Sequence, residues 1–280
     1  MRAIRAMGVV FAFEWRRAAG WSRLVIMLAL AAFPATILWL IRHAGGDLPS
    51  SEARAIALFV MIPELVCLLA LLLWATPVIH AEVEGKTWPY LVVRPAGKVP
   101  ILLGKYAAAV TWSMITGWLA LTLAMQVVGP RVQGPPPDPS QSESALPPAA
   151  QGFGRQEGLR TWAVMAALVA LACTAYGALF VLLGVVFLRR GMIIAVAYTL
   201  LELAVRIIPS AIRQLTLQYH LQGLLIRWMG LSRGHREIDE WLGTADAWVH
   251  VAALVGIAAV LLGMAAAILR QRELVTANEV

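Results

Sequence analysis

Six long apolar runs punctuate the chain, at about 24–41, 56–79, 101–128, 162–188, 191–208 and 248–269. None alternates apolar with polar positions as a lipid-facing barrel strand would. Each approaches or exceeds the roughly 20 residues that a helix needs to cross a bilayer. Trp21 and Trp39 bracket the first run, and Trp162 and Trp248 open the fourth and sixth, where interfacial aromatic residues belong. The pattern predicts an all-α polytopic membrane protein with six transmembrane helices over residues 24–280. Segment 1–23 is patterned differently. Ile4, Met7, Gly8, Phe11 and Trp15 fall on one helical face, and Arg2, Arg5, Arg16 and Arg17 take the other. This predicts an amphipathic interfacial helix lying along the membrane surface, the alternative being a basic tail that only sets topology.

Composition agrees with this picture. Of 280 residues, 60% are apolar and only 14% charged, and the mean hydropathy is +0.74; soluble domains are roughly 45–50% apolar and about 25% charged. A net charge of +7 and a pI near 10 would suggest nucleic acid as the partner of a soluble protein. In a membrane protein they point to anionic lipid, and no nucleic-acid partner is expected. The basic flank before the first run is too long for a cleaved signal peptide, so the first span is expected to stay in the protein. Segments 1–23, 80–105, 189–190 and 270–280 hold 13 of the 23 Lys and Arg residues, including Lys86, Lys98 and Lys105. The longer complementary segments 42–55, 129–161 and 206–247 hold 10. The positive-inside rule therefore puts the first set, and both termini, in the cytoplasm. Arginine exceeds lysine 20 to 3, a bias consistent with a GC-rich bacterial genome and hence a bacterial inner membrane. Cys67 and Cys173 both lie in apolar runs and read as small core residues, not a disulfide framework.

Two outer segments stand out. Residues 134–152 carry Pro135, Pro136, Pro137, Pro139, Pro147 and Pro148 among Ser and Gln, which predicts an extended linker. Residues 209–247 place Leu217, Leu221, Leu224, Leu225 and Trp228 at helical spacing, which predicts short helices on or dipping into the outer membrane face. His235, Glu237, Asp239 and Glu240 cluster there, but without a second histidine at ligand spacing they read as a solvated loop and not a metal site.

The turn between the second and third runs reads HAEVEGKTWPYLVVRPAGKVPILLGK over 80–105. Glu82 and Glu84 close the second span, Gly85 permits a bend, and Thr87 can cap a short helix that tolerates Pro89 in its first turn. Pro95 stops that helix at Arg94, and Lys105 can snorkel from the third span. The expected product is a helix of about two turns carrying Tyr90, Leu91, Val92 and Val93 with charge at both ends. Such an exposed apolar patch rimmed by charge suits a docking surface better than a plain connector.

Glu82, Glu84, Gly85, Thr87, Leu91, Arg94, Pro95 and Lys105 resemble the signature of type-2 ABC exporter (ABC-2) permeases. The likeness extends to the amphipathic first helix, the six spans, and a fifth span ending near Glu202 and Pro209 with Tyr219 and His220 following. Lys86 between Gly85 and Thr87, and Pro89 within the turn, depart from the family pattern. The resemblance implies that residues 82–97 form a coupling helix, with Tyr90 among its contacts, seated on a separate ATPase subunit. Two permease copies and two ATPases would make the exporter, with ATP and Mg bound by the partner and no cofactor on this chain. Gly85-Lys86-Thr87 only mimics a phosphate-binding loop, because His80 stands where that loop needs glycine and a membrane span leads in.

Ionisable residues within apolar runs invite functional readings. Glu64 follows Pro63 about eight residues into the second run, and Glu202 lies in the fifth with Arg206 one turn on. One reading is structural: an intrahelical Glu202–Arg206 pair, with Glu64 bonded to a neighbouring helix. The other places Glu64, Glu202 and Arg206 on a translocation path or its gate. Thr111, Ser113, Thr116, Gly117, Gly177 and Gly184 suit close helix packing, and the ten methionines read as core filler. No GxSxG, HExxH or catalytic carboxylate pair is present, so no enzymatic activity is expected of the chain itself. The competing functions are a proton-coupled secondary transporter and a non-transporting membrane subunit of an ABC-like complex.

Overall fold

The computed structural model describes residues 2–44, 51–76, 97–128, 155–187, 190–205, 216–231 and 246–271. These form α1 (Arg2–Ala18), α2 (Trp21–His43), α3 (Ser51–Phe59) continuing through a π-helical segment (Val60–Val66) into α4 (Cys67–Trp74), α5 (Lys98–Val128), α6 (Arg155–Val186), α7 (Gly191–Val205), α8 (Leu217–Met229) and α9 (Ala247–Gln271). There is no strand among the described residues. The result is a helical polytopic membrane protein. Among the described residues, five helices are long and apolar enough to cross a bilayer: α2, the α3–π–α4 rod, α5, α6 and α9. The described part of α7 has 15 residues and spans about 22 Å at 1.5 Å per residue, short of a bilayer core of about 30 Å.

The core lies where α4, α5 and α6 meet, and α2 and α9 are the more peripheral helices. Only 22% of the α2 window and 17% of the α9 window are buried, against 67% for α6. Apolar side chains on the exposed faces of the outer helices, such as Val25, Leu28, Val255 and Val260, suit contact with lipid and not water. Gly117 shows how closely the central helices approach. A Cβ there would lie 2.8 Å from Val169 Cγ1 on α6 and 2.9 Å from Cys67 Sγ on α4, so glycine allows the three helices to touch. Cys67 and Cys173 are free and buried in this core. The polar side chains of the interior are satisfied locally where they can be. Thr111, Thr116, Thr174 and Thr199 each donate to the carbonyl four residues back, as water-free surroundings require.

Contacts between element ends fix the two ends of the bundle. At one, Arg23 near the start of α2 lies over Trp74 at the end of α4, and Trp74 stacks on Trp112 of α5. At the other, Arg42 Nη1 donates to Val127 O, joining the last turns of α2 and α5, and Arg160 Nη2 donates to Trp228 O, joining the start of α6 to the end of α8.

The π segment has an identifiable cause. Pro63 has no N–H to donate into an α-helical ladder, and its ring crowds the carbonyl four residues back. The chain accommodates this by widening one turn, so that Cys67 N–H bonds Ile62 O, five residues away.

Candidate functional site

The sequence points to two places: the base of the bundle around α1, and the ionisable residues of the interior. α1 is a helix with apolar and basic faces, and its apolar face is divided between two tasks. Ile4 at its start is exposed, whereas Phe11 stacks on Trp15 and Trp15 stacks on Trp112 of α5 with ring centroids 4.8 Å apart; Val9 and Phe13, also exposed, lie on the basic face. Met7 reaches α5 through its backbone, because a Cβ on Gly104 would lie 2.7 Å from Met7 O and 3.0 Å from Val10 Cβ. Only glycine at 104 permits this crossing. Ala18, Met27 and Trp112, with Trp15, Leu24, Trp74 and Leu119 around them, form a small core of their own, separate from that of the bundle.

Lys105 does not snorkel to the surface. It is 5% exposed, beneath α1, and its ammonium is paired with Glu14. Burial beneath a helix removes water as a partner, and the carboxylate on α1 takes its place. Glu14 was not singled out in the sequence. The signal was a lone acid on an otherwise basic amphipathic helix.

The second place lies at the interior end of α8. Glu64 and Glu202 are 2% and 3% exposed. Glu64 Oε1 accepts from Gln218 Nε2 at 2.8 Å and from Gln222 Nε2 at 3.3 Å. Glu202 Oε1 accepts from the Tyr176 hydroxyl at 2.6 Å and from Gln218 backbone N–H at 3.3 Å. The Glu202 carboxylate thus faces the first turn of α8, whose N-cap Thr216 accepts from Tyr219 N–H. Exposed N–H groups and the helix dipole both favour an anion there. Glu202 Oε2 is buried without a hydrogen-bond partner among the described residues. One glutamine therefore links two buried carboxylates from different helices, and α8 is held to the π segment, α6 and α7 at once. Chemically, two buried carboxylates held by amide and phenol donors are an arrangement suited to holding a proton or a polar group of cargo in low dielectric.

α8 follows the leucine spacing, but its leucines do not face a membrane surface: Leu217, Leu221, Leu224 and Leu225 are buried in the main core against α6 and α9. Gln218 and Gln222, spaced i,i+4 within that leucine stripe, were the signal that this face meets polar partners. On the flank of α8, His220 Nδ1 and His250 Nδ1 of α9 lie 3.0 Å apart, so one ring donates and the other accepts. Burial lowers the His220 pKa below its ordinary value, and the neighbouring His250 adds to this.

Of the coupling-helix residues, Glu82, Glu84, Gly85, Thr87, Tyr90, Leu91, Arg94 and Pro95 all lie outside the described residues, as do Arg206, the linker 134–152 and the cluster His235, Glu237, Asp239 and Glu240. No group of three or more metal-ligating side chains occurs among the described residues. No protein-family model matches the chain, and no curated protein is significantly similar to it.

Proposed function

We propose that this chain is the membrane-spanning permease subunit of an ATP-driven ABC exporter. It pairs with a second permease copy and is driven by two separate ATPase subunits at the cytoplasmic face of a bacterial inner membrane. In this reading residues 191–208 make the fifth of six spans, and both termini are cytoplasmic. The observation that carries the reading is the clamp between α1 and α5. Segment 77–96 leaves α4 and enters α5 at the end of the bundle where Gly104, Lys105 and Trp112 hold α1. A push on residues 82–97 by closing ATPase subunits would move α1, α4 and α5 as one body. At the far end of that body the Glu64 and Glu202 cluster ties α8 to the bundle, which makes it the natural outer gate. Such a two-state rigid-body change is biased by nucleotide through the partner, not through this chain.

The test is affinity purification of the tagged chain from its native membrane, with ATP hydrolysis measured in the eluate. The wild type should bring down an ATPase with Walker motifs, and Leu91→Asp should lose it while its helical content is unchanged. An eluate with no ATPase from wild-type membranes refutes the reading. The buried carboxylates favour a second reading, a proton-coupled secondary transporter working through Glu64 or Glu202. In that case deletion of residues 86–97 would leave transport intact, whereas in the exporter it abolishes transport.

A further inference from the structure

The outer face of α1 carries more than charge. Arg5, Val9, Ala12, Phe13 and Arg16 fall within an arc of about 100° when placed at about 100° per residue. All five are exposed, Val9 at 65% and Phe13 at 63%. The opposite side of the helix is occupied by its own protein. Met7 and Val10 meet Gly104 there, Glu14 pairs with Lys105, and Ala18 belongs to the small core around Trp112. An amphipathic helix of this kind meets lipid through its apolar side, but α5 has taken that side. We infer that α1 binds an anionic lipid surface through its outer face, with Arg5 and Arg16 on headgroup phosphates and Val9 and Phe13 entering the bilayer interface between them.

Charge complementarity supports this occupant. Glu14 is the single acid of α1, and it is turned inward to Lys105, so no carboxylate of the helix shares the outer face. Arg5 and Arg16 have no hydrogen bond or ion pair among the described residues. Their guanidinium groups can each take a phosphate through two parallel N–H bonds. Val9 and Phe13 lie between them, and two large apolar side chains suit water poorly. At a headgroup layer both needs are met at once: the long arginine side chains reach up to the phosphates while the ring and the valine sit below.

Chain connectivity selects lipid over a protein partner. α1 ends at Ala18, and α2, which is long and apolar enough to cross a bilayer, starts at Trp21. Three residues reach at most about 11 Å, so α1 is tethered at the bilayer boundary, where headgroups are the neighbours already present. α1 is then gripped on two sides, by α5 and by the leaflet. The charge of the leaflet sets how firmly it stays there, a role that does not depend on what drives the protein.

The experiment places a fluorescent label on Ala12→Cys of the full chain, with any subunits that copurify, in nanodiscs of phosphatidylglycerol and phosphatidylcholine. Cys67 and Cys173 are buried, which leaves the new thiol as the reactive one. Spin-labelled lipid should quench the label and aqueous iodide should not. In nanodiscs of phosphatidylcholine alone the pattern should reverse. An arginine near an anionic surface contributes about fivefold, so Arg5→Gln with Arg16→Gln should lower the ratio of lipid-bound to water-exposed label about 25-fold. Phe13→Ser, which keeps both arginines, should lower it as well and serves if the double variant loses helical content. Equal iodide access in the two kinds of nanodisc, or lipid quenching undiminished in the variants, overturns the proposal. Shielding from both quenchers that disappears when copurifying subunits are stripped away would assign the face to a protein partner and overturn it too.

Discussion

The link between Glu64 and Gln218 makes a quantitative prediction about how α8 is held. Gln218 Nε2 donates to Glu64 Oε1 at 2.8 Å, and both residues are nearly inaccessible, at 2% and 6% exposure. A hydrogen bond to a charged group contributes about 1.5–3 kcal/mol in soluble proteins. In membrane bundles, interhelical pairs average only about 0.6 kcal/mol, with a maximum near 1.7, because the unfolded chain in lipid also finds partners. Good length, full burial and a carboxylate acceptor place this pair at the upper end, at about 1.5 kcal/mol, or roughly tenfold in an equilibrium constant. Glu64→Leu should cost more than Gln218→Leu, because it removes an acceptor shared by Gln218 and Gln222, whereas Gln218→Leu leaves Glu64 its bond from Gln222 at 3.3 Å. The double variant should be less destabilised than the sum of the two, by the coupling of about 1.5 kcal/mol. Reversible unfolding in mixed micelles by added dodecyl sulfate, followed by circular dichroism, measures all four corners of the cycle. Additivity within about 0.3 kcal/mol would show that the two side chains do not interact, and the account of α8 as a helix bolted to the π segment would fail.

Two further outcomes are expected. Gly104→Val should lift α1 from α5, since its Cβ alone would meet Met7 O at 2.7 Å; limited trypsin digestion should then cut at Arg16 or Arg17 several-fold faster, and an unchanged rate would refute the crossing. Because burial holds the His220 pKa below its ordinary 6.5, the unfolded state takes up the proton first on acidification. Stability should therefore be full above about pH 6.5, fall as the pH drops below it, and level off only once folded His220 itself protonates. Melting temperatures at pH 7.5 and 5.5 check this, with His220→Gln expected to shrink the difference.

The periodicity of apolar residues was enough to show a helical membrane protein, because a bilayer allows few other solutions for such long runs. It also located α1, since the segregation of Arg2, Arg5, Arg16 and Arg17 from Ile4, Met7 and Phe11 is a local property. What the sequence left hidden are pairings across the fold. Gln218 meets Glu64 from 154 positions away, and Lys105 meets Glu14 from 91, and neither distance leaves a trace in hydropathy. The leucines of α8 were legible as a helix but not as a buried one, because an amphipathic face looks the same whether lipid or protein covers it. Pro63 was read only as the neighbour of Glu64; that it widens one turn of the second span depends on the packing around it.

That widened turn gives the rod from Ser51 to Trp74 a spare residue. Successive positions in an α-helix are about 100° apart, so absorbing the extra one offsets the azimuth of Ser51–Phe59 from Cys67–Trp74 by about that angle. Removing a single residue between 60 and 66 would regularise the backbone and swing the upper half of the rod around its axis, carrying Glu64 away from the glutamines. The one extra residue thus sets the phase of half a span against the other half, and with it the direction in which Glu64 points.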